Sequence, residues 1–105
     1  MNIFRKIIRT IKSFFQKRFR GYTDEDLWDL SVPIAKFISP RLKAFKKNLG
    51  GYPVNLASAK EWEETIDKML YAFELIIDDN LTIANCEKYE EGMKLFAEYL
   101  CNLWD

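Results

Sequence analysis

A chain of 105 residues that is 49% hydrophobic supports one domain with a core of its own and needs no metal or disulfide to hold it. Its charges cancel, yet residues 1–50 carry 12 Lys/Arg against 4 Asp/Glu and residues 51–105 carry 4 against 12, so the halves suit each other or an anionic partner. The absence of histidine excludes Ser/His/Asp and Cys/His mechanisms within one chain, and no run reaches the roughly eighteen uncharged residues of a membrane span.

Residues 2–20 predict a basic amphipathic leader helix. At 100° per residue, Ile3, Phe4, Ile7, Ile8, Ile11, Phe14, Phe15 and Phe19 share one arc, with Arg5, Lys6, Arg9, Lys12, Lys17 and Arg20 opposite and no acid among them. Arg18 alone falls inside the apolar arc, where it must snorkel or mark the helix end. Such a helix suits four surroundings. It can dock on a core with its cations against the acidic second half, or lie on an anionic membrane, although no Trp or Tyr within it anchors an interface. It can also meet nucleic-acid or nucleotide phosphates through Arg5, Lys6, Arg9 and Lys12, or enter a partner's groove.

After Gly21-Tyr22, Thr23 caps a second helix over residues 23–48, with Asp24, Glu25 and Asp26 in its first turn. Asp24, Asp26 and Asp29 lack the Gly and terminal Glu of a calcium loop, so no metal site is expected. Leu27, Leu30, Ile34, Phe37, Ile38, Leu42 and Phe45 keep helical spacing; Pro33 restarts the helix and Pro40 kinks it near Ser39. The same wheel places Arg41 toward the core, where it needs an acid such as Glu90 or Glu91 unless the Pro40 kink shifts the phase, or else serves as a fork for a carboxylate or phosphate. Gly50 or Gly51 can end the helix in a left-handed conformation, and Tyr52 is expected as a lid on the core.

Residues 58–78 read as the central helix, opened by a capping box of Ser58 and Glu61. Trp62, Ile66, Met69, Leu70, Phe73, Ile76 and Ile77 form its core face; Tyr71 and Leu75 fall on the charged side as an apolar spot for the leader helix or a second copy. A last helix over residues 82–104 carries Cys86, Tyr89, Met93, Phe96, Leu100 and Leu103 at spacings of three and four. Gly92 beside that seam allows another helix close, and Trp104 suggests a tail packed down. Cys86 and Cys101, about 22 Å apart on one helix, cannot bridge, which points to a reducing compartment. Carboxylate clusters such as Glu87, Glu90 and Glu91 read as solvated faces, so neither enzyme activity nor a cofactor is expected.

The phrases TDEDLWDL, IAKFISPRLKAFKK with GGYP following, EWEETIDKMLYAFE and EGMKLFAEYLCNLWD resemble a family of small uncharacterised bacteriophage-encoded proteins, over roughly Gly21 to Asp105. The resemblance implies a setting, the cytoplasm of an infected bacterium, and action by binding; it brings no functional residues. The sequence thus leads to an all-α fold of four helices, with a leader at 1–20 and a core domain at 21–105. The first functional expectation is binding to a host protein, plausibly of a defence system. Two alternatives stand beside it: capture of a phosphate-bearing small molecule around Arg41, Lys43, Tyr52 and Trp28, and nucleic-acid or anionic membrane binding through the leader. Homo-oligomers can form through Tyr71, Leu75 or the leader.

Overall fold

The computed structural model describes residues 2–104. The fold is all-α: α1 (Ile3–Arg20), α2 (Ser31–Lys47), α3 (Ala59–Ile77) and α4 (Cys86–Tyr99), with single 3₁₀ turns at Glu25–Leu27 and Leu100–Asn102 and no strand among the described residues. The chain divides into two compact units, Met1–Pro33 and Ile34–Asp105. The boundary falls in the first turn of α2, and Tyr22, Asp24, Glu25 and Trp28 in the segment before it contact α1.

In the first unit, Asn2 caps α1 by accepting a hydrogen bond from the Phe4 N–H at 3.0 Å. Gly21 ends it at φ 82°, a left-handed conformation that costs glycine little. The cap expected at Thr23 forms: its Oγ1 accepts from the Asp26 N–H, and Asp26 Oδ2 accepts from the Thr23 N–H. It starts only one 3₁₀ turn, however, and α2 begins afresh at Ser31 with Pro33 in its first turn, where a missing N–H costs nothing.

In the second unit α3 is central. Ser58 Oγ accepts from the Glu61 N–H, while Glu61 reaches one residue further back than expected, to the Ala57 N–H at 2.8 Å. Trp62, Ile66, Met69, Leu70 and Phe73 are buried as their spacing predicts. Phe73 meets Phe96 edge to face at 4.9 Å, and Trp62 meets Tyr99 at 5.4 Å. Asn55 donates to the Tyr99 hydroxyl at 2.8 Å, so the loop before α3 is tied to the end of α4. In that loop Pro53 is buried and Tyr52 is half exposed, so Pro53, not Tyr52, closes the core. Neither Gly50 nor Gly51 is left-handed; Asn48 finishes α2 by donating its side-chain amide to the Ala44 carbonyl at 3.0 Å.

Three further expectations are corrected. The α2 face that packs inward is Ala35, Ser39 and Leu42, which leaves Ile34 and Phe37 exposed; Leu27 and Leu30, expected on the same helix, lie before it and are exposed as well. The last helix is shorter than expected, since α4 stops at Tyr99 and tightens into a 3₁₀ turn that carries Leu100 off the seam; Leu103 packs down, and Trp104 does not. Leu75 is buried, so the apolar spot expected of Tyr71 and Leu75 together does not form; Tyr71 stays exposed beneath the Lys88 ammonium, 5.9 Å from its ring centroid.

Gly92 sits where α4 crosses α3. A Cβ there would fall 2.4 Å from the Lys68 carbonyl oxygen and 2.6 Å from the Ala72 Cβ. Backbone cannot yield as a side-chain tip can, so Gly92→Ala should lower stability by about 1–3 kcal/mol in urea unfolding followed by circular dichroism, despite alanine's better helix propensity. The end of α3 offers the opposite change. The Asn80 and Asp79 N–H groups donate back to the Leu75 and Ile76 carbonyls, with Asp79 at φ 52°. Asp79→Gly removes that strain and a carboxylate from the negative end of the helix dipole, and should raise stability by about 0.5–1 kcal/mol in the same assay.

Candidate functional site

Two surfaces, one in each unit, carry recognition chemistry. On α1, residues 12, 16 and 20 form one column a turn apart, and Asp24 folds back onto it. Gln16 donates to Asp24 Oδ2 at 2.7 Å and accepts from the Asp24 N–H at 2.8 Å. Arg20 donates to the other carboxylate oxygen at 2.5 Å, and the Lys12 ammonium stands 3.2 Å away. One turn further toward the N-terminus, Arg9 pairs with Glu25 and lies 5.1 Å from the Trp28 ring centroid. Three cations of α1, Arg9, Lys12 and Arg20, thus find acids in residues 24–25.

This clasp occupies the polar face and leaves the apolar one open: no α1 residue is buried, and Phe4, Ile8, Phe14 and Phe19 are each more than 60% exposed. Trp28 and Tyr22, also exposed, supply from the following segment the indole and phenol that α1 lacks. Of the residues assigned to phosphate binding, Arg9 and Lys12 are paired with acids, whereas no carboxylate pairs with Arg5 or Lys6 among the described residues. No described helix is long and apolar enough to cross a membrane. Gln16 and Asp24 escape a hydropathy reading; the signal for them is the Lys-Gln-Arg column at i, i+4 and i+8, followed by a glycine turn and an acid.

In the second unit, Arg41 points outward, contrary to the wheel, because α2 turns Ala35, Ser39 and Leu42 to the core. It pairs with neither Glu90 nor Glu91. Its Nη1 donates to the Phe37 carbonyl at 3.0 Å, and the guanidinium lies 3.7 Å from the Phe37 ring centroid. It stands in a groove of about 290 Å³ walled by Phe37 and Phe45 on α2, Phe96 on α4, and Leu100 and Leu103 beyond it. The rest of the proposed phosphate site does not gather there. Lys43 pairs with Glu74 at 3.0 Å; Tyr52 lines a separate hollow of about 360 Å³ with Pro53, Trp62 and Trp104; and Trp28 belongs to the first unit. Leu100 and Phe37 were missed as surface residues because a continuous wheel sends both inward.

Across α3, Lys46 pairs with Asp67 at 2.6 Å and Lys68 with Glu91 at 2.9 Å, and these hydrogen bonds to carboxylates raise both lysine pKa values. Cys86 and Cys101 are free thiols, and no described cluster of Cys, Asp or Glu could hold a metal. No protein-family model, curated protein or solved structure matches the chain.

The Gln16 amide, and after it the Arg20 guanidinium and Lys12 ammonium, hold the Asp24 carboxyl well below the usual carboxylate range. Because the folded value is the lower one, the clasp's contribution is present above the ordinary aspartate pKa and is lost as pH falls through the folded value. A carbon-detected NMR titration should find Asp24 still ionised at about pH 3, and Gln16→Ala should move its midpoint up, with Arg20 and Lys12 still holding it below the ordinary aspartate value.

Proposed function

We propose that this chain is a non-enzymatic recognition protein that attaches through α1 to an anionic lipid surface. The observation that carries the reading is the open apolar face of α1, whose opposite side is already hydrogen-bonded to Asp24 and Glu25. An 18-residue helix is about 27 Å long, and its apolar side chains can sink into the acyl boundary while Arg5, Lys6 and Lys17 stay at headgroup level. Trp28 and Tyr22 suit the same boundary. Nucleic-acid binding is less favoured, since Arg9, Lys12 and Arg20 are partly neutralised and the apolar face would remain uncovered. The small-molecule reading loses support because Arg41, Lys43 and Tyr52 lie apart. The setting we propose is the inner face of a bacterial host membrane, as the resemblance to bacteriophage-encoded proteins implies.

Sedimentation of the full chain with vesicles tests this. Vesicles of phosphatidylcholine mixed with phosphatidylglycerol should bind it better than phosphatidylcholine alone, and added salt should weaken the difference. Replacing one exposed aromatic of that face by a charge, Phe14→Asp, should cost at least about tenfold in partition, given about 1.5–3 kcal/mol for burying a large apolar side chain. Equal partition of Phe14→Asp and the parent would overturn the reading, as would salt-sensitive binding to duplex DNA that Phe14→Asp leaves intact.

A further inference from the structure

A second surface, independent of lipid attachment, takes the host-protein expectation to particular residues. The groove between α2 and the end of α4 is open along its length and sits at the low end of small-ligand pocket volumes, about 300 Å³ upward, so its shape suits a docked segment better than an enclosed molecule. Its walls are apolar with one exception, Arg41, and no acid lines it.

Arg41 is held ready. The Phe37 ring beneath and the Phe37 carbonyl fix its guanidinium, and among the described residues no carboxylate pairs with it. A guanidinium fixed in this way offers its remaining N–H groups as a fork for a carboxylate. Phe37, Arg41 and Phe45 recur every fourth residue, so the α2 wall runs for about 12 Å, slightly more than two helical turns. An amphipathic helix with apolar anchors at i, i+4 and i+7 covers the same length.

The geometry points to an acidic amphipathic helix of a partner protein as the occupant, its apolar anchors against Phe37, Phe96 and Leu100 and one Glu or Asp on Arg41. A basic segment is disfavoured, because it would set like charge against Arg41 in an apolar surround.

Fluorescence anisotropy on the full chain, without vesicles, decides it. The probes are three labelled helical peptides that share leucines at i, i+4 and i+7 and differ only in Glu, Gln or Lys at the position next to the central leucine. The Glu peptide should bind at least tenfold more tightly than the Lys peptide. Arg41→Gln, at an exposed position, should erase that preference while leaving the fold unchanged by circular dichroism; Leu100→Asp should weaken all three peptides. The lipid-surface variant Phe14→Asp should bind the Glu peptide like the parent, which separates this surface from α1. Equal binding of the three peptides, a preference that survives Arg41→Gln, or no binding of any would overturn the inference. So would displacement of the Glu peptide by decanoate in preference to unlabelled peptide, because the site would then belong to a lipid carboxylate.

Discussion

The second unit depends on how closely α4 can approach α3 at Gly92. With only a hydrogen on that Cα, α4 comes to rest against the Lys68 carbonyl and the Ala72 methyl. That proximity brings Phe96 onto Phe73 and Tyr99 onto Trp62, and the Tyr99 hydroxyl in turn holds Asn55 and the loop before α3. The third helix is attached differently. Leu42 and Phe45 reach the core as side chains, and Lys43 and Lys46 bridge to Glu74 and Asp67. Exposed bridges of this kind contribute little each, so α2 relies on its apolar contacts. The groove at Arg41 is the gap left where α2 and the end of α4 part.

The first unit is built on another kind of contact. It buries no side chain of α1, and its order comes from hydrogen bonds and ion pairs that converge on Asp24 and Glu25. Polar contacts hold one face of the helix and so decide which face is left over. In the second unit apolar packing does the holding, and a single cation marks the surface left over.

What could be read from the sequence, and what could not, separates along these lines. The buried arc of α3, its Ser58 cap and the role of Gly92 follow from periodicity and residue size, properties local to a helix. The phase of α2 does not. Ile34 and Phe37 are greasier than Ala35 and Ser39, so a hydropathy wheel turns the wrong side inward; only the neighbouring helix makes the small residues the better fit. Leu100 is misplaced because a wheel assumes 3.6 residues per turn to the end, whereas the chain tightens after Tyr99. The Asp24 clasp joins side chains four, eight and twelve residues apart across a turn, and hydrophobic periodicity carries no such information. Of the binding candidates, Arg41 keeps its interest with its orientation reversed, while Lys43 and Tyr52 lie elsewhere.

The clasp has one more consequence. Lys12, Gln16 and Arg20 meet Asp24 along a single line, so α1 cannot roll about its own axis without breaking all three contacts together. Its azimuth against residues 22–28 is set before it touches anything. Less internal freedom is then left to lose on contact, and helix and following segment meet whatever they touch as one piece, like the edge of a blade.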